Sequence, residues 1–264
     1  MSRLSAVLIV RNESAQLGAC LENLKWADEI VVLDGDSDDD TVAIARRYTD
    51  LVFVERNWEG YGIQRQRAEK KASGDWILMI DADERVTREL RSEIERAVAA
   101  DDRTIVYAVP RLSFCFGRFI RHGGWYPDYV ARLYPRGRAR YDNELVHEKV
   151  HPDPGVRVLR LHGDLLHYTY RDLEHYLVKS AAYAAAWATM RQRQGRRASL
   201  VQGIVHGLAC FVRMYLLRAG FLDGKAGILL ALLSAHSTFA KYADLWVRQQ
   251  RLPGAREDSD ARGP

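Results

Sequence analysis

Two carboxylates, Asp81 and Asp83, stand one residue apart at the end of the apolar run Trp76-Ile77-Leu78-Met79-Ile80, with Glu84 next in line. Paired carboxylates are hard-oxygen ligands and suit a divalent cation, Mg²⁺ or Mn²⁺, held between protein and a phosphate. The run before them reads as a strand buried on both faces of a parallel sheet. That places both acids at the strand's carboxyl end, where ligands bind in open α/β sheets. Asp83 is equally suited to N-capping a helix that starts near Thr87.

A second acidic group is Asp34-Gly35-Asp36-Ser37-Asp38-Asp39-Asp40-Thr41. Its Asp34, Asp36 and Asp38 fit the first positions of an EF-hand loop. The sixth position is Asp39 rather than Gly and the twelfth is Ala45 rather than Glu, so that reading fails. The turn follows one strand and opens a helix, which sets Asp34 at the same sheet edge as Asp81, where an acid can bind a ribose or a base. No G-x-G-x-x-G follows the first strand and no P-loop occurs anywhere, which weakens dinucleotide and P-loop readings.

These acids need a frame, and the N-terminal half supplies one. Strand signals at Leu4–Val10, Glu29–Leu33, 51–54, Trp76–Ile80 and Ile105–Val109 alternate with helical spacing over 17–24, 41–48, 61–72 and 87–99. Such alternation predicts βαβ units and a mostly parallel sheet. Arg65 and Arg67 lie on the third of those helices. They read as phosphate or nucleotide contacts, or as a solvated basic face.

The 264 residues, 47% hydrophobic and 28% charged, support one sizeable domain with or without an appendage. Three distant cysteines, Cys20, Cys115 and Cys210, offer neither a disulfide framework nor metal spacing. With no signal peptide at the N-terminus, this predicts a reducing, cytoplasmic location. No run of 18 apolar residues is free of charge, so no clean transmembrane helix is expected.

The stretch 111–140 interleaves Phe114, Trp125, Tyr126 and Tyr129 with Arg118, Arg121, His122 and Arg132. Aromatic faces stack on sugar rings while arginines clamp anionic groups; the same pattern also serves nucleic acid, which would show as steep salt dependence without a metal requirement. Beyond it, helical spacing runs over 172–193, 199–217 and 225–248. From Tyr176 to Arg256 the acids are Asp223 and Asp244, against many Arg and Lys. A basic, amphipathic, apolar helical pair predicts a membrane-surface element, with a helical layer or a homo-oligomer seam as the alternatives. The tail 251–264 reads as disordered.

The ordered set of Val7–Glu13, Ile30–Thr41 and Leu78–Asp83 resembles the family-two glycosyltransferases of GT-A fold. Trp26–Val31, Gln64–Arg67, Gly123–Asp128, Leu145–Glu148 and Leu217–Lys225 extend the resemblance to bacterial lipopolysaccharide inner-core glucosyltransferases, over nearly the whole chain to about Trp246. One departure is Gly35-Asp36, where such enzymes carry Ser-Gly.

The resemblance implies a GT-A-like, Rossmann-type α/β transferase domain over 1–170, divided at 110 into a nucleotide half and an acceptor half. It implies a helical appendage over 171–250. UDP-glucose is the implied donor, with Val10, Asn12, Glu13, Asp34, Arg65, Arg67 and Asp81 as its binding residues and Asp83, with Asp81, at the metal. The implied acceptor is a lipopolysaccharide core heptose at the inner membrane, with Trp125, Tyr126, Arg132 and His147 as contacts. Family members invert the anomeric centre, so a general base is needed on the face opposite the diphosphate. Glu148 is the candidate, with Asp128 and Glu144 as rivals. A polyprenyl-phosphate transferase and a non-catalytic nucleotide-binding or membrane scaffold are the competing readings; nucleic acid is not the expected partner.

Overall fold

The computed structural model describes residues 2–142, 149–170 and 172–250. In chain order the elements are β1 Leu4–Val10, α1 Ser14–Asn23, β2 Glu29–Asp34, α2 Thr41–Ala45, β3 Val52–Val54, α3 Tyr61–Glu69, β4 Trp76–Met79, β5 Glu84–Val86, α4 Arg88–Ala100, β6 Ile105–Cys115, β7 Arg118–Phe119, β8 Asp128–Pro135, β9 Ala139–Tyr141, β10 Val150–Pro152, β11 Arg157–Arg160, β12 Leu165–Tyr170, α5 Leu173–Arg193, α6 Leu200–Val212 and α7 Gly224–Gln250. A π-helical turn, Arg213–Leu217, and a 3-10 turn, Gly220–Asp223, join α6 to α7.

The chain divides into two units: 1–114 with 126–169, and 115–125 with 170–264. The segment 115–125, placed by sequence in the acceptor half, therefore groups with the C-terminal helices.

The first unit is built on a sheet of order β3-β2-β1-β4-β8-β6-β12-β5, with β11 beside β6. The strands β3, β2, β1 and β4 run parallel, as the apolar runs predict. Every residue of β1 and β4 is buried, which is why neither strand alternates. Past β4 the direction changes, because β8 is antiparallel to both β4 and β6. The sheet is thus mixed. Of its later strands, β5, β7 and β11 have two to four residues, too few to leave a periodic signal.

Helix α4 is capped by Thr87, whose Oγ1 accepts from Leu90 N at 3.2 Å. This corrects the reading of Asp83 as that cap. Asp83 instead precedes β5, which sequence periodicity does not reveal. Helices α2 and α3 end at Ala45 and Glu69, three residues earlier than expected.

The second unit holds α5, α6 and α7. A capping box of Ser199 and Gln202 opens α6, satisfying two backbone donors reciprocally. Gly203 and Gly207 let α6 lie close to α7; a Cβ at Gly203 would come within 3.1 Å of Phe239 and Tyr242. The core of this unit includes Cys115, Ile120, Tyr176, Cys210, Met214 and Leu230. Among the described residues one helical stretch, Leu200–Leu217, is long and apolar enough to cross a membrane by length and composition, with Arg213 inside it.

Candidate active site

In the first unit, β4 ends and the chain turns through Asp81, Ala82 and Asp83 into β5. Arg85 fastens this turn: its guanidinium donates to the carbonyls of Ala82 at 2.8 Å, Glu84 at 2.7 Å and Gln16 at 2.9 Å. Strand β12 then pairs antiparallel with β5, setting His167 opposite Glu84. The Tyr168 amide donates to the Asp83 carbonyl at 2.8 Å.

That register brings His167 Nε2 to 3.4 Å from Asp83 Oδ2, both side chains partly open to solvent. Ser113 Oγ lies 3.3 Å from His167 Nδ1. With Nδ1 donating to Ser113, Nε2 carries the lone pair that a metal requires. A carboxylate and an imidazole 3.4 Å apart suit a divalent cation such as Mn²⁺. No group of three or more His, Cys, Asp or Glu gathers among the described residues. Two protein ligands beside an open face fit a cation whose other positions go to phosphate oxygens and water, the habit of Mg²⁺ at phosphate sites.

Asp81 has a different environment. Its Oδ1 accepts from Arg65 Nη2 at 2.7 Å and its Oδ2 is bound by Arg132 Nη2. Arg132 Nη2 also reaches Glu84 Oε1 at 2.6 Å, and Glu84 Oε2 accepts from the Asp81 amide at 3.0 Å. Arg65, Arg132 and Glu84 are all buried. Burial works against ionised Asp81, but the Arg132 and Arg65 guanidiniums prevail and hold its carboxyl well below the usual carboxylate range. Burial pushes the Glu84 carboxyl up, against the pull of Arg132.

Three expectations change here. Asp81 has both oxygens engaged by arginines rather than turned to a metal. Arg65 is buried against Asp81, with its guanidinium over the Tyr141 ring at 5.2 Å, not on a solvated helix face. Arg132 is corrected from acceptor contact to buried strut, because its guanidinium is locked between Asp81 and Glu84.

The remaining residues are distributed as follows. Val10 ends β1, and Asn12 follows it with a left-handed backbone, φ 56°. Asn12 takes a hydrogen bond from the Asp38 amide at 3.0 Å and donates its own amide to Ser37 Oγ at 2.8 Å. The Glu13 amide donates to Thr41 Oγ1 at 2.8 Å. Asp34 is buried and binds Ser37 through both carboxylate oxygens, at 2.5 and 2.9 Å. Asp39 ties the same turn together. Burial opposes its ionisation, yet Thr41 and Ser14 hydrogen bonds lower it to about 2. The donor residues expected from β1 and β2 thus converge on one loop cluster. Arg67 instead binds the Asn57 carbonyl at 2.5 Å and the Glu59 carboxylate.

Asp128 receives Arg111 Nε at 3.0 Å and Nη2 at 2.5 Å, so this rival base is ion-paired. Tyr126 donates its hydroxyl to Asp164 at 2.8 Å. Trp125 belongs to the second unit, edge-on to Tyr170 at 6.4 Å. Glu148, His147 and Glu144 lie outside the described residues.

Sequence reasoning missed His167, Glu84, Arg85 and Arg111. The strand-like alternation of Leu165-Leu166-His167-Tyr168-Thr169-Tyr170 was the available signal for His167. Gly163 was another, because a Cβ there would collide with the Leu90 backbone, and so brings β12 close to α4.

Comparison with known proteins agrees with this architecture. A mannosyltransferase from Pyrobaculum calidifontis, solved with GDP-Man and Mn²⁺, superposes with a TM-score of 0.52 at 14% identity, over 94% of this chain and 88% of its own. This likeness shows the GT-A-type fold. The lipopolysaccharide core biosynthesis glycosyltransferase LpsC of Rhizobium meliloti is 32% identical over 91% of this chain and 93% of its own length. An uncharacterized glycosyltransferase of Rickettsia prowazekii is 29% identical over 96% and 90%. The model of glycosyl transferase family 2 matches residues 5–162, and the chain belongs to that family.

Proposed function

We propose that this glycosyltransferase moves glucose from UDP-glucose onto a heptose of the lipopolysaccharide core, with inversion, at the cytoplasmic face of the inner membrane. The observation that carries the reading is Asp83 facing His167 at the carboxyl edge of β4, within a family-2 chain. The core acceptor is supported by the Rhizobium relative, whose similarity covers 91% of this chain. Glucose and inversion rest on the sequence resemblance.

Asp83 and His167 would hold a divalent cation, which when bound supplies the positive charge that steadies a leaving diphosphate. Arg65 and Arg132 neutralise Asp81 and so keep the turn that presents Asp83 in one shape. The loop cluster of Asn12, Asp34 and Ser37 is the wall against which the nucleoside would lie. Glu148 would take the proton of the acceptor hydroxyl as its oxygen attacks the anomeric carbon and the bond to the diphosphate breaks. The aromatic Tyr126 would serve the acceptor sugar.

The test is UDP release from a panel of UDP-sugars, with and without Mn²⁺ or Mg²⁺. Wild type should select one sugar, need metal, and lose about 10²–10³-fold of its turnover in Asp83→Ala, as when one electrostatic stabiliser is removed. Glu148→Gln should spare slow donor hydrolysis and abolish transfer to a core acceptor. Turnover that is indifferent to both metal and Asp83 would sink the reading.

A further inference from the structure

The second unit displays what soluble proteins bury. On α6 the side chains of Val201, Ile204, Val205, Leu208 and Val212 are exposed, Val201 by 69% and Leu208 by 63%. Their spacing puts them on one helical face. The opposite face, Gly203, Gly207 and Cys210, is buried. The band does not stop with the helix: Leu217 is 77% exposed, and Phe221 and Leu222 in the following turn are about as open as the α6 face. Contiguous exposed apolar surface of this kind marks an interaction site.

Charge identifies the partner. Exposed Arg193, Arg196 and Arg197 precede α6, and exposed Arg213, Arg218 and Lys225 sit at its far end. The described acids from Val178 to Gln250 are Asp223 and Asp244. Asp223 is buried, accepting from the amides of His122 at 2.8 Å and Arg121 at 3.3 Å. Asp244 is paired with Arg248 at 2.9 Å. Neither offsets the exposed cations. An apolar stripe with a basic cluster at each end complements a bilayer of anionic lipid. A second copy fits poorly, because a two-fold contact would oppose the same patch to itself and bring like charges together.

We infer that the Val201–Val212 face of α6, continued by Leu217 and Phe221-Leu222, is a membrane-seating surface for an anionic bilayer, with the helix lying in the plane of the interface rather than crossing it. The in-plane orientation follows from the one-sided apolar face and from Arg213 within the 18-residue stretch, where a cation at bilayer depth is costly. The anchoring turn is stiff. Asp223 staples it to residues 121–122, and a Cβ at Gly227 would collide with the Gly220 carbonyl. This inference deepens the membrane part of the function proposed above and rests on it only for why a bilayer should be the partner.

The test uses the full chain and sedimentation with phosphatidylcholine vesicles, with and without phosphatidylglycerol. Wild type should pellet with the anionic vesicles and be released by salt. Val205→Glu with Leu208→Glu, which replaces only exposed side chains, should lower partitioning about tenfold or more. Arg196→Glu with Arg197→Glu should remove the preference for phosphatidylglycerol while circular dichroism stays native. A polarity-sensitive dye on Leu217→Cys should shift to the blue on binding. Wild type left in the supernatant, a glutamate variant that binds like wild type, or a wild-type dimer that the glutamates dissociate would each overturn the inference. So would chain retained in cell membranes after alkaline carbonate, since that is the behaviour of a spanning helix. UDP release measured without vesicles separates the two proposals. If release persists while vesicles are ignored, the seating surface alone fails; if vesicles bind and no UDP-sugar is turned over, the donor reading alone fails.

Discussion

Each unit of this chain holds a carboxylate by pairing its oxygens, and the two do it with different kinds of partner. In the α/β unit, Asp81 is gripped by the side chains of Arg65 from α3 and Arg132 from β8, and Glu84 shares Arg132. In the helical unit, Asp223 is held chiefly by backbone amides of residues 121 and 122, with His122 Nδ1 at 3.1 Å. The first arrangement joins separate elements at the turn and leaves Asp83 outside the arginine pairs. The second fastens a turn whose neighbours Leu217, Phe221 and Leu222 face outward. An acid whose oxygens are all taken by such partners thus marks where shape is held, while the reactive or adhesive residue is the neighbour that this pairing leaves available.

The hardest way to break this comparison is Arg132→Met. It leaves buried Glu84 without its close cation and takes one of two guanidiniums from Asp81, a loss that typically costs about 3–5 kcal/mol. Chemical denaturation should show it. Adding Glu84→Gln to Arg132→Met should recover part of the loss, because one uncompensated charge disappears. A drop in stability below about 1 kcal/mol would mean that the guanidinium is not the strut described.

The exposed side of the same turn should answer differently. His167→Ala should cost clearly less stability than Arg132→Met and raise the metal concentration needed for half-maximal UDP release by about 10–100-fold, the loss seen even for partners one step removed from a metal. An unfolding effect as large as that of Arg132→Met would erase the distinction between strut and ligand.

In the helical unit, Asp223→Ala strips the acceptor from two partly buried amides, a loss of about 1–3 kcal/mol. Asp223→Asn retains an acceptor oxygen and should lose less. Equal losses would show that charge, not the amide acceptor, is what the turn uses.

How much of this was legible beforehand follows from strand length and register. The parallel strands β1, β2 and β4 are apolar runs, and their acids fall where an α/β sheet binds ligands; both facts are local. Asp81 and Asp83 could be found that way, but not told apart, since their difference lies in Arg132, 51 residues on, and in His167. The pairing of Asp83 with His167 depends on β5, a three-residue strand, and three residues cannot display a period. Arg132 was read as an acceptor contact because arginine beside aromatics has that use; its strand β8 inserts it into the core instead. The helices were easier, since long elements carry their period and their caps in plain view.

Those caps give the smallest contrast between the units. Ser199 Oγ accepts from the Gln202 amide at 3.2 Å, and Gln202 Oε1 accepts from the Ser199 amide at 3.0 Å, both wholly local to α6. Thr87 caps α4 in the same way, but its Oγ1 also donates to the Asp164 carbonyl at 2.8 Å, tying the helix to the loop before β12. Ser199→Ala should therefore cost about 1 kcal/mol, the ordinary worth of an N-cap, and Thr87→Ala about 2, since a tertiary bond goes with the cap. Hydrogen exchange gives the sharper reading. Ser199→Ala should speed exchange only in the first turn of α6, whereas Thr87→Ala should also loosen the Leu165–Tyr170 strand that carries His167, and so weaken metal-dependent UDP release. If the two substitutions prove equally local, β12 owes its position to the sheet alone.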